Sequence, residues 1–385
     1  MDFSFSETQR HWHEAAAEFA RTELVRPESD GGPADRGGFW REGYRRCARF
    51  GLTGLPVAEE HGGRGQDLPT TVAAMEGVGY GCEDSGLIFA INAALWTVTL
   101  PIQLYGTEEQ KRQYLPGLCD GSLVGANGAS ESEAGSDIYA MTTRAERRGD
   151  QWVLNGRKTW ITAGPIADVY LCYATTDPGR GIMGISAFLV GRDAPGFRMV
   201  REIPKLGMKG VPMGELAFED CRLPADALVG REGRGAPIFQ ASMEFERGAI
   251  LASALGTMRR QLERCIHHAR SRRQFGQPIG KFQSVSNRVV DMALRLETSR
   301  LMVYRYAWLK SRGDEEASAA AAMAKLQVSE SFVQNSLDAV RLFGAAGYVE
   351  ETGIERDLRD SVGSVIFSGT NDIQRNIIAQ RLRLG

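Results

Sequence analysis

What most constrains this chain is that its residue pattern changes twice along its length. Up to about residue 120, apolar positions recur at helical spacing between short connections. After Gly121 the texture becomes short β-branched and aromatic runs, at 152–154, 169–173, 185–190, 197–200 and 215–218. From Ala236 helical spacing returns and holds to the end, in long stretches over 243–270, 281–311 and 315–343. Helices of that length with short breaks predict an antiparallel bundle. The expected architecture is α+β, divided as 1–120 helical, 121–232 antiparallel β and 233–385 helical.

Local signals place the elements. Ser6 with Gln9, and Thr107 with Gln110, have capping-box spacing. Trp12, Ala16 and Phe19 would share one face of the first helix. The stretch 29–38 is rich in Gly, Asp and Pro and reads as a loop, and a helix over 39–50 would stop at Gly51. Glu60-His-Gly-Gly-Arg-Gly-Gln-Asp-Leu-Pro69 is glycine-rich but lacks the spacing and preceding strand of a dinucleotide fingerprint. It reads as a loop opening a helix near Asp67 and Pro69, with further helices over 70–80, 90–105 and 111–115. Asn155-Gly156 predicts a hairpin turn between 152–154 and 158–161.

Composition narrows the class. A net charge of −2 argues against broad phosphate-backbone binding, although 270–273 is a local basic run. The six cysteines are scattered without a CxxC pair, and the five histidines form no metal motif. Neither a secretory leader nor an 18-residue apolar span is expected, so the chain reads as cytoplasmic.

The tail, Ser364-Val-Ile-Phe-Ser-Gly-Thr-Asn-Asp-Ile-Gln374, reads as a Gly-Thr turn opening a last helix capped by Thr370 or Asn371. Ile373, Ile377 and Ile378 would pin that helix to a core. Four more motifs join it. They are Asn127-Gly-Ala-Ser-Glu-Ser-Glu-Ala-Gly-Ser-Asp137, Lys158-Thr-Trp-Ile-Thr162, Arg272-Arg-Gln-Phe-Gly-Gln-Pro-Ile279 with Gln283, and Leu342-Phe-Gly-Ala-Ala-Gly347. In this order, on an α–β–α frame, they resemble the acyl-CoA dehydrogenase family of flavoproteins along essentially the whole chain.

The resemblance implies a C-terminal four-helix bundle, noncovalent FAD, no metal and a homotetramer. It assigns Asn127, Ala129, Ser130, Gly135, Ser136, Trp160 and Thr162 to FAD within one subunit. Arg272, Phe275, Gln283, Gly344, Thr370 and Asp372 match positions that also reach FAD, several from a neighbouring subunit. Arg341 joins that set but stands where the family commonly has Gln. The chemistry agrees: Gly135 and Ser136 permit close approach, Trp160 offers an aromatic wall, and Arg272 suits a pyrophosphate.

Most members carry a catalytic Glu immediately before this Gly-Thr, whereas here the residue is Ser368. Isovaleryl-CoA-type members carry the Glu on the first bundle helix instead. Glu246, in Met243-Glu-Phe-Glu-Arg247, matches that position, with Glu244 a weaker candidate on another helix face. The resemblance implies that Glu246 takes an α proton and that the Ser368 N–H supports the thioester oxygen. The stretches 135–141, 163–169, 282–288 and 366–374 look like the branch that oxidises prolyl groups on peptidyl carrier proteins to pyrrolyl groups. A short- or branched-chain acyl-CoA dehydrogenase and an inactive flavin-binding scaffold are the alternatives. CoA and carrier protein present the same pantetheine arm, and neither the thiol carrier nor the oxidant of the reduced flavin is written in these residues.

Overall fold

The computed structural model describes residues 4–27 and 38–384. Most of the expected loop at 29–38 lies outside them. Helices α1 (Glu7–Glu23), α2 (Arg41–Phe50), α3 (Leu68–Gly81), α4 (Ser85–Ala94), α5 (Leu100–Tyr105) and α6 (Glu108–Asp120) come first. Both capping boxes form, at Ser6 and Thr107, and the Asp67 side chain caps α3. A π turn over Leu95–Thr99 joins α4 to α5, so Ser85–Tyr105 is one 21-residue helix. It is long and apolar enough to cross a membrane by composition, contrary to the expectation that no stretch would be. It is a core helix here, with 78% of its most apolar window buried inside the fold.

The middle region is one mixed sheet. Its strands are β1 (Gly125–Gly128), β2 (Arg144–Arg148), β3 (Gln151–Thr162), β4 (Val169–Thr175), β5 (Ile185–Gly191), β6 (Phe197–Glu202), β7 (Met213–Pro224) and β8 (Leu228–Val229). Neighbours run β6-β7-β3-β2-β4-β5-β8 and are mostly antiparallel, but β1 pairs with β4 in parallel. The hairpin expected at Asn155-Gly156 does not form. Those residues lie inside continuous β3, at a register shift against β7. A Cβ at Gly156 would come within 2.5 Å of the Thr143 hydroxyl, so close strand approach rather than turning demands that glycine. The Asn155 amide bonds Asp220 across the sheet. The true turn is Gly149-Asp150, between paired Arg148 and Gln151.

Six more helices close the chain: α7 (Gly235–Ala249), α8 (Ala252–Ser271), α9 (Gln283–Ser311), α10 (Ala317–Phe343), α11 (Ile354–Gly363) and α12 (Asn371–Arg381). The helix expected across 243–270 is broken at Ile250 and Leu251, both buried, with neither Gly nor Pro at the break. α7 ends there, with Glu246 in its last turn. α10 runs through the middle of the bundle and touches α7, α8, α9, α11 and α12. Its buried alanines 319–322 and 324 let that many neighbours approach. The first region docks on the bundle by a glycine crossing: a Cβ at Gly256 of α8 would lie 2.1 Å from the Glu76 carbonyl of α3.

Candidate active site

The turn before α12 is held in a conformation that ordinary side chains resist. Ser368 and Gly369 both have positive φ, 59° and 82°. The Gln374 side-chain amide donates to the carbonyls of Ser368 (3.2 Å) and Gly369 (2.8 Å). Arg247 Nε donates to the Ser368 carbonyl from α7, at 3.3 Å. Thr370, not Asn371, caps α12 by accepting from the Ile373 N–H. Asn371 instead anchors the turn to α10, accepting from Lys325 Nζ at 2.7 Å and Ser329 Oγ at 3.0 Å.

These polar residues do the pinning expected of the isoleucines. Asn371 and Gln374 are buried, whereas Ile373, Ile377 and Ile378 are only half-buried, and Ile373 and Ile377 line a cavity. With its carbonyl so tied, the Ser368 N–H is left with no acceptor among the described residues.

The cavity occupies about 1230 Å³ between sheet, α7 and this turn, more than most single-ligand sites. Glu246 faces it while 7% exposed, and burial pushes its carboxyl up to about 7. The Ser368 hydroxyl, Arg247 and Lys325 each pull that value back down. Ser368 Oγ makes no hydrogen bond of normal geometry, yet it is near enough to act on the Glu246 carboxyl. Lys325 is fully buried, and desolvation lowers its ammonium to about 7. Glu244 also lines the cavity but is tied to Lys310 at 2.6 Å.

The sheet supplies the opposite wall. Asn127, Ala129, Ser130, Gly135 and Ser136 line the cavity, as do Trp160, Thr162 and Thr370. Trp160 stands at φ 57° in a bulge of β3, 49% exposed, an uncommon posture for so bulky a residue. Lys158 turns inward at the same bulge and is buried against Glu131 (2.9 Å) and the Ala129 carbonyl (2.9 Å). Glu131, held down to about 2, also accepts from the N–H groups of Thr142 and Thr143. This buried pair ties the 129–143 segment to β3 and fixes the wall.

The wall fits a planar polar ligand. Asn127 Oδ1 is buried without a partner, and a Cβ at Gly135 would meet nothing within 4 Å. The protein's own packing therefore does not require that glycine. Arg272, Phe275, Gln283, Arg341, Gly344 and Asp372 do not line this chain's cavity. Phe275 is 93% exposed on the α8–α9 connection, Gly344 follows α10 at φ 61°, and Arg341 pairs with Asp338 at 3.4 Å.

Motif reading missed Lys325, Arg247, Asn371 and Gln374 as supports of the turn. The one legible hint was Lys325 directly after the alanine-rich apolar run 319–324.

Fold and cavity agree with the sequence comparisons. The chain belongs to the acyl-CoA dehydrogenase family, whose N-terminal, middle and C-terminal domain models match residues 6–122, 126–221 and 233–383. Among its relatives, an L-prolyl-[peptidyl-carrier protein] dehydrogenase of Pseudomonas fluorescens is 42% identical over the full length of both chains. The crystal structure of the prolyl acyl carrier protein oxidase AnaB superposes with a TM-score of 0.95 at 43% identity, covering 98% of this chain and 100% of its own. PigA, solved with FAD and proline, gives a TM-score of 0.96 at 40% identity over all of both chains.

Proposed function

We propose that this protein is an FAD-dependent oxidoreductase that converts an L-prolyl thioester on a peptidyl carrier protein to the pyrrole-2-carboxyl thioester. The observation that carries the reading is the pairing of Glu246, buried and poised near neutral pH, with the Ser368 turn across one cavity. FAD, when bound, supplies the hydride acceptor. Asn127, Ala129, Ser130, Gly135, Ser136, Trp160, Thr162 and Thr370 hold it from this chain. Glu246 takes the proton from the substrate α carbon, as a general base whose pKa lies near the working pH should. The Ser368 N–H, without an acceptor of its own, donates to the thioester oxygen as enolate charge grows there. Arg247 and Gln374 keep that N–H aimed by holding the carbonyl of the same residue.

Proline loses four hydrogens on becoming pyrrole, so two two-electron oxidations are required, and molecular oxygen or an electron-transfer protein would have to accept the four electrons. Of the assigned residues outside this cavity, several, Arg272 and Phe275 first, reach the cofactor of a neighbouring copy in a homotetramer, while Arg341 stands where the family commonly has Gln and is paired with Asp338. The exposed Phe275, and Val290, Leu294 and Trp308 on α9, support such an assembly. We place the domain divisions at 1–120, 121–232 and 233–385, where α6 ends and α7 is about to begin. All six cysteines are free and buried, in keeping with a cytoplasmic enzyme.

The test is mass spectrometry of a prolyl-loaded carrier incubated with the enzyme, where a loss of four mass units is expected. Flavin bleaching by isovaleryl-CoA or another simple acyl-CoA, but not by the prolyl carrier, would replace this reading with a branched-chain acyl-CoA dehydrogenase.

A further inference from the structure

The cavity follows α7 for most of its length: Pro237, Gln240, Met243 and Glu246 all line it. Arg234 stands just before the first residue of α7, twelve residues ahead of Glu246. At roughly 1.5 Å rise per residue these are about 18 Å apart along the axis. An extended phosphopantetheine arm spans a comparable distance between its carrier and its thioester. With its arm laid along the α7 wall, which lines the cavity as far as Pro237, a thioester at Glu246 has its carrier at the N-terminal end of α7.

That end is built from two abutting loops, 178–184 between β4 and β5 and 230–234 before α7. The Gly233 N–H donates to Ser186 Oγ at 2.9 Å, and a Cβ at Gly233 would lie 2.5 Å from the Met183 carbonyl and 4.0 Å from Arg180 Nη1. Together the loops expose Arg180, Arg231 and Arg234 around Ile182 (44% exposed) and Met183 (53%). None of the three guanidiniums forms an ion pair or side-chain hydrogen bond among the described residues. The arginines of β3 and β6 are different: Arg157, Arg198 and Arg201 are bound to Glu215 or Glu219. Glu232 is the one acid exposed within the 230–234 loop.

We infer that this patch, Arg180, Arg231 and Arg234 around Ile182 and Met183, is the docking surface for the acidic carrier protein. The inference rests on the carrier-bound substrate proposed above. The arginines face carboxylates of the carrier beside its modified serine, and the two apolar side chains pack on the helix that bears them. Uncommitted rim charges around a small apolar centre accelerate encounter and fix orientation.

The experiment compares three proline thioesters: on the carrier, on CoA, and on N-acetylcysteamine, which has neither carrier nor phosphate. The R180E/R231E/R234E variant, purified with its flavin, should lose about tenfold or more in kcat/KM for the carrier, through KM, and much of its salt sensitivity. Ile182→Asp with Met183→Asp should give the same selective loss without changing salt dependence. Turnover of the N-acetylcysteamine thioester should stay within about twofold, because these residues lie outside the reacting end. Unchanged carrier kinetics, or an equal loss on all three thioesters, would overturn the inference. So would a loss confined to the CoA thioester, which would give the patch to the phosphates of CoA. A wild-type enzyme that oxidises none of the three would instead sink the prolyl reading and take this inference with it.

Discussion

At the residue scale the proposed reaction turns on one carboxyl kept out of water. Glu246 titrates at about 7 because burial disfavours its charge, so its basic form fills in as pH rises through that value. The rate of flavin reduction per unit substrate should therefore climb to a plateau with an apparent pKa near 7. Glu246→Gln should retain FAD, lose the rising limb and slow reduction by at least ~10²-fold. The same shift sets stability. A folded pKa above the ordinary 4.5 means the folded state holds the proton longer, so wild-type stability falls as pH rises from about 4.5 to 7. The Gln variant has no such titration and should gain on wild type across that window, by on the order of 3 kcal/mol. Melting curves at pH 5 and pH 8 check it. Ser368→Ala removes an influence that lowers the Glu246 pKa, so its limb should move to higher pH with only a mild loss at the plateau.

Two elements decide where that carboxyl stands. α7 stops at Ala249, just before buried Ile250 and Leu251, and α10 brings a buried lysine to the turn. Lys325 lowers the Glu246 pKa, so Lys325→Met should shift the pH limb upward in enzyme that still folds and binds flavin. Asn371 keeps Ser329 as a donor in that variant, which limits the damage to the turn. The crossing of α3 and α8 leaves no room for a side chain at Gly256. Gly256→Ala should cost about 1–3 kcal/mol through overpacking, read as a lower thermal midpoint. An unchanged midpoint would mean that the two helices separate more easily than the crossing implies.

At the scale of the whole molecule, the proposed assembly divides the cofactor site between copies of the chain. Arg272, Phe275 and Gln283 lie away from its own cavity, on the connection between α8 and α9 and the start of α9. In the proposed tetramer they complete the site of a neighbouring copy. Phe275→Ala or Arg272→Ala should then lower FAD retained after gel filtration while leaving the pH limb of the flavin-loaded fraction unmoved. Charge placed on the outer face of α9, as in Trp308→Glu with Leu294→Glu, should reduce the native mass and the flavin content together. A variant that stays assembled and fully yellow would dissociate the α9 face from cofactor binding.

The sequence alone determined whatever depends on local backbone preference and on spacing. The α–β–α order, the capping boxes at Ser6 and Thr107 and the Asp67 start of α3 were legible in this way, whereas the cap of α12 was narrowed only to Thr370 or Asn371. Ser368 and Glu246, which both line the cavity, were singled out together only through the family resemblance, whose usual acid before Gly-Thr is missing here. Tertiary structure decided the rest. Asn155-Gly156 has the chemistry of a turn, yet strand pairing across β2, β3 and β7 holds it extended. The helix spacing over 243–270 gives no stop, yet the fold breaks the helix at buried Ile250 and Leu251. The tail isoleucines have the periodicity of a buried face, but Gln374 takes that place because the carbonyls of a strained turn need a buried donor, and Asn371 joins it by accepting from Lys325 and Ser329 of α10. Above all, the neutral pKa of Glu246 and the lysine that tempers it exist only once α7, α10 and the tail close around one carboxyl. Desolvation and charge proximity belong to space, and no residue carries them in its own identity.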